Sequence, residues 1–413
     1  MDSHIAFTSF AGKRIHIGVC GSIALYKALD LLRDLRDAGL DIGVTLTESA
    51  QRFVTPLAFA ALGASPVHTR LFSASSDGDD RDPFMHLMPA ASARAFAVVA
   101  ATATTLSRLA HGLADEILSC QALAFPNPLL IAPAMNPKMW ANPATQENCE
   151  ILRRRGHRII EPACGRVACM DEGQGRLADL RLIYLEILRS VSPQDMAGTT
   201  VMVTLGPTRE YWDAVRFWSN PSSGVMGASL AVAAWLRGAQ VHAVCGPGAF
   251  PNQPWLPPGI TRHNVTSAKE MFDCASSLWQ QSDYGIFSAA VADFSPVQVS
   301  SGKFKKSSAA NDLHIPFTAT QDILGTLAGE KTASQKIMGF AAETDNLESE
   351  VLRKLRSKNA DMMVGNLVNA PGAGFGSATN TVYIADSSGT ASALPTMPKP
   401  DLAWRLLDCL LRL

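Results

Sequence analysis

No stretch of this 413-residue chain reaches the roughly eighteen consecutive apolar residues that a bilayer-crossing helix needs. Met1 to Phe10 also lacks the charged start, apolar stretch and small-residue cleavage site of a secretory leader. An excess of one charge sign is missing too: 36 Lys and Arg stand against 37 Asp and Glu, a net charge of −1. That excludes a global basic field for nucleic acid or an anionic membrane, so anionic ligands must be met by local Lys, Arg and helix N-termini. The 8 cysteines are scattered and form no disulfide framework, which fits a reducing cytoplasm. Cys164 and Cys169 have the spacing of half a zinc site, but no matching Cys or His pair follows. The three-glycine dinucleotide fingerprint is absent, which disfavours a nicotinamide-linked Rossmann enzyme.

What is present is an ordinary globular composition, 47% hydrophobic and 18% charged, at a length that predicts two or three domains. Two segments share one layout. In the first, Arg14–Val19 reads as a strand, Gly21-Ser22 as a turn, and Leu25, Leu29, Leu32 and Leu35 as the apolar stripe of a helix that stops at Gly39 before the strand Ile42–Leu46. In the second, strand Thr200–Thr204 is followed by a long loop, a helix from about Gly224 to Arg237, a Gly238 stop and strand Val241–Val244. Further strands fit at 96–101, 129–132, 285–289, 337–340 and 362–364. This strand–helix–strand alternation predicts an α/β protein made of two doubly wound parallel-sheet domains, residues 1–191 and 192–413, with Ser192-Pro193-Gln194-Asp195 as linker. Segments 77–83, 250–259 and 371–376 read as loops.

Polar clusters stand at the ends of the early strands: Gly21-Ser22, Thr47-Glu48, and Thr102, Thr104 and Thr105. Gly21-Ser22 suits a phosphate at a helix N-terminus, or simply a tight turn, and Thr102 also suits a helix N-cap. Asn136, in Pro133-Ala134-Met135-Asn136-Pro137-Lys138-Met139-Trp140, comes after an apolar strand and sits where open α/β sheets bind ligands. His86 lies among apolar neighbours, as a core histidine or a catalyst would. Cys169 precedes Asp171, Glu172, Gly173, Gly175 and Arg176, a polar, glycine-rich segment with the composition of a flap that closes over substrate.

His86, the Pro-Ala-Met-Asn-x-x-Met-Trp run and Ala168-Cys169 with Gly173-Gln174-Gly175-Arg176 resemble, in order, three active-site motifs of the flavin-dependent cysteine decarboxylases. Within these they resemble the enzymes that act on phosphopantothenoylcysteine on the way to coenzyme A, over about residues 12–190. The resemblance implies FMN at Gly21, Ser22, Thr47, Thr102, Thr104 and Thr105. It implies His86 in the catalytic base region, Asn136 on the substrate carboxylate and Cys169 as proton donor. FMN oxidation beside the sulfur would create the electron sink that lets CO2 leave. Thr104 departs from the family, which more often has Asn or Asp there.

Gly206-Pro207-Thr208-Arg209-Glu210, Asn220, Ser222-Ser223-Gly224 and Ser288-Ala289-Ala290-Val291-Ala292-Asp293 resemble phosphopantothenate–cysteine ligase over about residues 195–410. The resemblance implies CTP at Phe287, Ser288, Ala289, Asp293, Lys303, Gln321, Asp322, Ile323, Phe340, Lys354 and Lys358. Asn220 and Lys303 would serve the activation and amide-forming steps, through an acyl-cytidylate, with Mg2+ on the triphosphate and metal ligands unassigned. Leu205, Trp212, Ala214, Val225 and Thr320-Gln321 depart from the pattern. The chain is thus expected to join cysteine to 4′-phosphopantothenate and then decarboxylate the product. Two alternatives are a decarboxylase with a degenerate ligase half and a regulatory flavoprotein of the same fold. The expected setting is cytoplasmic, without nucleic acid or membrane, as a homo-oligomer built from decarboxylase trimers and ligase dimers up to a dodecamer.

Overall fold

Strand Arg14–Val19 buries five of its six residues, the pattern of a parallel strand covered on both faces. In the computed structural model, which describes residues 2–71, 84–248, 254–305, 313–369 and 374–413, the chain divides into two units. One is Phe7–Ser192; the other is Pro193–Leu413 together with Asp2–Ala6. The expected loop at 77–83, Lys306, and the 250–253 and 371–373 parts of the other two expected loops lie outside the described residues.

The first unit is built on β1 (Arg14–Val19), β2 (Asp41–Leu46), β3 (Val67–His68), β4 (Ala95–Ala101), β5 (Leu130–Pro133) and β6 (Arg158–Ile159). Their order is β3-β2-β1-β4-β5-β6, and every pairing is parallel. The first helix differs in register from its expected stripe. A 3-10 turn, Ile23–Tyr26, precedes the α-helix Lys27–Asp37, which buries Ala28, Leu31, Leu32 and Leu35 while Leu29 is only half-buried. Three residues per turn at the start rotate the later positions away from a uniform 3.6-residue stripe. A hairpin, β7 (Ala163–Arg166) and β8 (Glu172–Arg176), comes after the sheet.

The second unit contains β9 (Thr200–Leu205), β10 (Arg209–Tyr211), β11 (Phe217–Ser219), β12 (Gln240–Cys245), β13 (Ile260–Asn264), β14 (Tyr284–Phe287), β15 (Phe294–Pro296), β16 (Phe317–Ala319), β17 (Lys336–Glu343), β18 (Met362–Leu367), β19 (Thr379–Asp386) and β20 (Ala391–Pro398). Eight of them form one sheet in the order β13-β12-β9-β14-β17-β18-β19-β20. From β13 to β18 the pairing is parallel, and β19 and β20 add an antiparallel edge. Sequence periodicity missed that edge because β20 is largely exposed and carries Pro395 and Pro398, as edge strands tolerate. β10 pairs with β11 and β15 with β16 in two short ribbons.

The helix Val225–Leu236 is buried from Gly227 to Leu236. Just past its end, Arg237 pairs with Asp195 at 2.6 Å and Asp408 at 2.7 Å, so its buried guanidinium is matched by two carboxylates. Trp279 is buried and donates from Nε1 to Leu327 O at 3.0 Å. Its burial stabilises this core by roughly 2–3 kcal/mol. In each sheet the strand order reverses at the first strand, β1 or β9, so each unit has a crevice at strand carboxyl ends where such folds place ligands.

Candidate active sites

The first strand-end cluster lies along neighbouring strands. Thr47 N bonds Val19 O at 3.1 Å, and Cys20 N bonds Val99 O at 3.3 Å, so the ends of β2, β1 and β4 meet. Ser22, Thr47 and Thr102 each cap the helical turn that begins one residue later. Their hydroxyls accept from Ala24 N at 3.5 Å, Ala50 N at 3.2 Å and Thr105 N at 3.3 Å. Thr102 and Thr105 hydroxyls also meet at 3.1 Å, whereas Thr104 is exposed. Gly21 is required by packing: a Cβ there would stand 2.4 Å from Ser49 Cβ. Ala100, buried at φ 55 beside the irregularity between Val99 and Ala101, turns the chain end of β4 toward Thr102. Burial pushes the nearby Cys20 thiol up to about 12, so this cysteine is inert at neutral pH.

A cavity of about 550 Å³ opens beside Ser22. Asn136, Cys169, Gly175 and Arg176 line it with Ile23, Tyr26, Lys27, Met135 and Arg166. Asn136 caps the short helix Pro137–Trp140, its Oδ1 accepting from Lys138 N at 2.8 Å. That fixes the amide so that Nδ2 donates to Asp171 Oδ2 at 2.7 Å and to Cys169 Sγ at 3.1 Å. Asp171 also meets Lys138 Nζ at 3.7 Å. The Asn136 hydrogen bond first, and the Lys138 charge second, hold the Asp171 carboxyl below its usual range. Lys27 is pulled below its ordinary value by burial and then by Arg176, with Asp179 opposing.

The glycines of the hairpin are there for contact. Gly175 O accepts from Met135 N at 2.9 Å, and a Cβ on Gly175 would lie 2.5 Å from Met135 O and 3.1 Å from Pro137 N. A Cβ on Gly173 would come within 3.0 Å of Pro137. At Gly175 backbone therefore docks on backbone, while Gly173 rests against the Pro137 ring, and the positive φ of both favours glycine. The structure thus gathers Ser22, Asn136 and Cys169, and adds Asp171, which the motifs did not single out as a site residue. Thr47, Thr102 and Thr105 stay on the same sheet edge without lining the cavity. His86 sits on the 3-10 turn Met85–Leu87 and does not line it.

In the second unit a cavity of about 660 Å³ is lined by Asn220, Phe287, Ser288, Ala289, Asp293, Gln321, Asp322, Ile323, Phe340, Lys354 and Lys358. Ser222 through Gly227 also line it, including Val225, the first residue of the helix Val225–Leu236. Gly224 there has φ 73 and lies against Gly206. Asn220 Nδ2 donates to Val291 O at 3.0 Å and Ala290 O at 3.3 Å, bracing the loop after β14. Asp322 caps the helix Ile323–Gly329 and pairs with Lys358; Lys354 pairs with Glu343 at 2.6 Å. Lys303 is exposed and outside this cavity. Its neighbour Phe304 donates its amide to buried Asp213 at 3.1 Å, which also takes Arg216 Nη1 at 2.7 Å. Burial would raise the Asp213 carboxyl, but the amides of Val215, Arg216 and Phe304 and the Arg216 charge hold it below its ordinary value. Arg353, Asn366, Asn380 and Lys399 line the cavity as well, none of them marked by the motifs.

Among the described residues no group of three His, Cys, Asp or Glu is placed to hold a metal ion, and no helix is long and apolar enough to cross a membrane. Comparison with known proteins matches residues 7–192 to the Flavoprotein family and residues 196–413 to the DNA/pantothenate metabolism flavoprotein C-terminal domain family. The chain is 36% identical over 401 residues to the coenzyme A biosynthesis bifunctional protein CoaBC of Vibrio vulnificus, covering 97% of each. It is 38% identical over 402 residues to that of Escherichia coli, again covering 97% of each. With that of Bacillus subtilis the identity is 39% over 401 residues, covering 96% of each.

Proposed function

The chain belongs to the family of coenzyme A biosynthesis bifunctional proteins, and we propose that each unit carries one of two successive reactions. The second unit joins cysteine to 4′-phosphopantothenate at the expense of CTP. The first decarboxylates the resulting phosphopantothenoylcysteine to 4′-phosphopantetheine.

The observation that carries the decarboxylase reading is Asn136 Nδ2 held at 2.7 Å from a carboxylate and 3.1 Å from the Cys169 thiol, over a cavity. Asp171 supplies that carboxylate, and it marks where the leaving carboxylate of a substrate would sit. A substrate carboxylate replacing Asp171 keeps the Asn136 hydrogen bond and lies within reach of Lys138. Cys169, exposed and 3.8 Å from Asp171 Oδ2, is then placed to give a proton to the carbon that loses CO2. Gly173 and Gly175 seat the hairpin against Pro137 and Met135.

The residues fit a flavin. The cavity has the volume of a cofactor pocket, with Ile23, Tyr26 and Met135 as apolar walls and the Ser22 hydroxyl at one side. Ser22, Thr47 and the Thr102–Thr105 turn would hold FMN along the strand-end edge. When bound, FMN supplies the oxidation beside sulfur that makes the carboxylate a leaving group. His86 is given no step within a single chain.

For ligation, Lys354, Lys358 and the helix start at Val225 would meet the CTP triphosphate, with Mg2+ arriving on the nucleotide. Asn220 would hold the loop against which the acyl group is activated. Lys303 is given no contact, since it lies outside the cavity. A cytoplasmic homo-oligomer completes the proposal.

The test is mass analysis of one mixture: the protein with 4′-phosphopantothenate, cysteine, CTP, Mg2+ and FMN. The expected products are CMP, pyrophosphate, CO2 and 4′-phosphopantetheine. Decarboxylation of supplied phosphopantothenoylcysteine without any ligation would instead establish a degenerate ligase half.

A further inference from the structure

Lys399 opens the C-terminal helix Lys399–Leu410 and lines the second cavity, although the residue is only 4% exposed. Its ammonium has one hydrogen bond among the described residues, to Gly374 O at 3.3 Å. The other cations on that wall are matched: Lys354 by Glu343 at 2.6 Å, Arg353 by Glu350 at 2.7 Å, and Lys358 by Asp322. No carboxylate among the described residues pairs with Lys399, and burial alone pulls its ammonium below the ordinary value. A buried cation with one acceptor costs stability unless a ligand brings charge and acceptors. Its place makes this worse, because the first turn of a helix favours anions and disfavours cations.

A second helix start lies beside it. Arg237, at the far end of the helix Val225–Leu236, bonds Asp408 and stacks over Trp404, toward the far end of the C-terminal helix. The two helices therefore run side by side in one direction, with Val225 and Lys399 both on the cavity. Neither helix has a side-chain cap at its start. Asn380, also 4% exposed, lines the same wall and pairs in register with Met397, two residues before Lys399. Its Oδ1 accepts from Thr381 N at 3.1 Å, so the amide nitrogen is the end suited to a ligand.

We infer that Lys399, with Asn380 and the two helix starts, is an anion-positioning site that holds a phosphate oxyanion of a ligase substrate. This rests on the ligase reading of the same cavity. Two substrates carry phosphate, the nucleoside triphosphate and 4′-phosphopantothenate, and titration separates them.

The experiment is calorimetric titration of the full chain, wild type and Lys399→Met, with inorganic tripolyphosphate, CTP and 4′-phosphopantothenate in turn. Lys399→Met is expected to weaken one phosphate ligand about ten- to a hundredfold, the scale of a charge-assisted contact. Its thermal midpoint without ligand should hold or rise, because an apolar chain of similar length removes a buried charge. Lys399→Arg should keep most of the affinity. A loss confined to tripolyphosphate and CTP assigns the site to the triphosphate; a loss confined to 4′-phosphopantothenate assigns it to the acyl substrate. Unchanged affinity for all three overturns the inference, as does a lowered midpoint with full affinity in the folded protein. If Lys399→Met does not fold, Asn380→Asp decides: a carboxylate beside the ammonium must weaken the same ligand, and full affinity there overturns the inference. A wild type that binds tripolyphosphate through Lys399 but forms no acyl-cytidylate contradicts the ligase reading and leaves the site standing. Ligation and phosphate affinities indifferent to Lys399→Met do the reverse.

Discussion

The two units arrange their parallel strands in the same order yet build their cavities differently. In the second, strand ends and the helices behind them supply nearly the whole wall, from Asn220 to Lys358, with the antiparallel edge adding Asn380 and the C-terminal helix adding Lys399. In the first, strand ends supply one side only, and a hairpin docked through Gly173 and Gly175 supplies the other. The difference is one of dependence. The second site stands on the sheet itself, whereas the first exists only while a backbone-to-backbone contact of a few residues holds.

The largest expected effect breaks that contact. Gly175→Ala places a Cβ 2.5 Å from Met135 O, backbone against backbone, and the hairpin must lift. Decarboxylation should fall by about a hundredfold or more, the scale of misplacing reacting groups by an ångström. Ligation should be unchanged. Normal decarboxylation by this variant, in an assay with supplied phosphopantothenoylcysteine, would show that the docked hairpin is dispensable.

A second difference is in acid stability. His16 is buried in the first unit, its Nε2 bonded to the Thr45 hydroxyl at 2.7 Å, and Thr45 in turn donates to Gln121 Oε1. Burial first, then His68 and Arg14, lower its pKa to about 3. The unfolded chain takes up that proton below about pH 6.5 and the folded unit refuses it until far lower. Stability of the first unit is therefore lost as pH falls from about 6.5 toward 3, by at most about 1.4 kcal/mol per pH unit. His242 of the second unit is lowered only in part, by burial and then His263. Calorimetry should show the first unit's transition moving down between pH 7 and 5 more than the second's. His16→Gln should flatten that movement; equal movement of both transitions in wild type would contradict the account.

The smallest effect concerns the hairpin tip. Met170 is exposed at φ 71, a conformation that costs a side-chain-bearing residue about 1–2 kcal/mol. Met170→Gly should firm the turn in which Val167 N bonds Asp171 O at 3.0 Å, by about 1 kcal/mol at most. Amide exchange at Val167 would slow. Faster exchange would mean that the Met170 side chain holds the turn.

The same contrast explains why some of the molecule is readable from its sequence. Parallel pairing brings strand carboxyl ends together, so Ser22 and Asn136 line one cavity and Ser288, Asp293 and Phe340 the other, residues that the family resemblance had pointed to. His86 and Lys303 did not reach their cavities, because each lies on an irregular stretch that no ladder positions. Asp171 was passed over because its role depends on the Asn136 amide being turned by a cap on Lys138 N. Lys399 was missed because Pro398-Lys399-Pro400-Asp401 reads as an ordinary helix start; only the fold shows that the start is buried beside a second one.

The central claim is that two separable sites act in succession on one chain, and product analysis of wild type beside Gly175→Ala tests it most directly. With 4′-phosphopantothenate, cysteine, CTP, Mg2+ and FMN, wild type should yield 4′-phosphopantetheine, while Gly175→Ala should stop at phosphopantothenoylcysteine formed at the wild-type rate. Loss of ligation and decarboxylation together in the variant, or no ligated product from wild type, would contradict it.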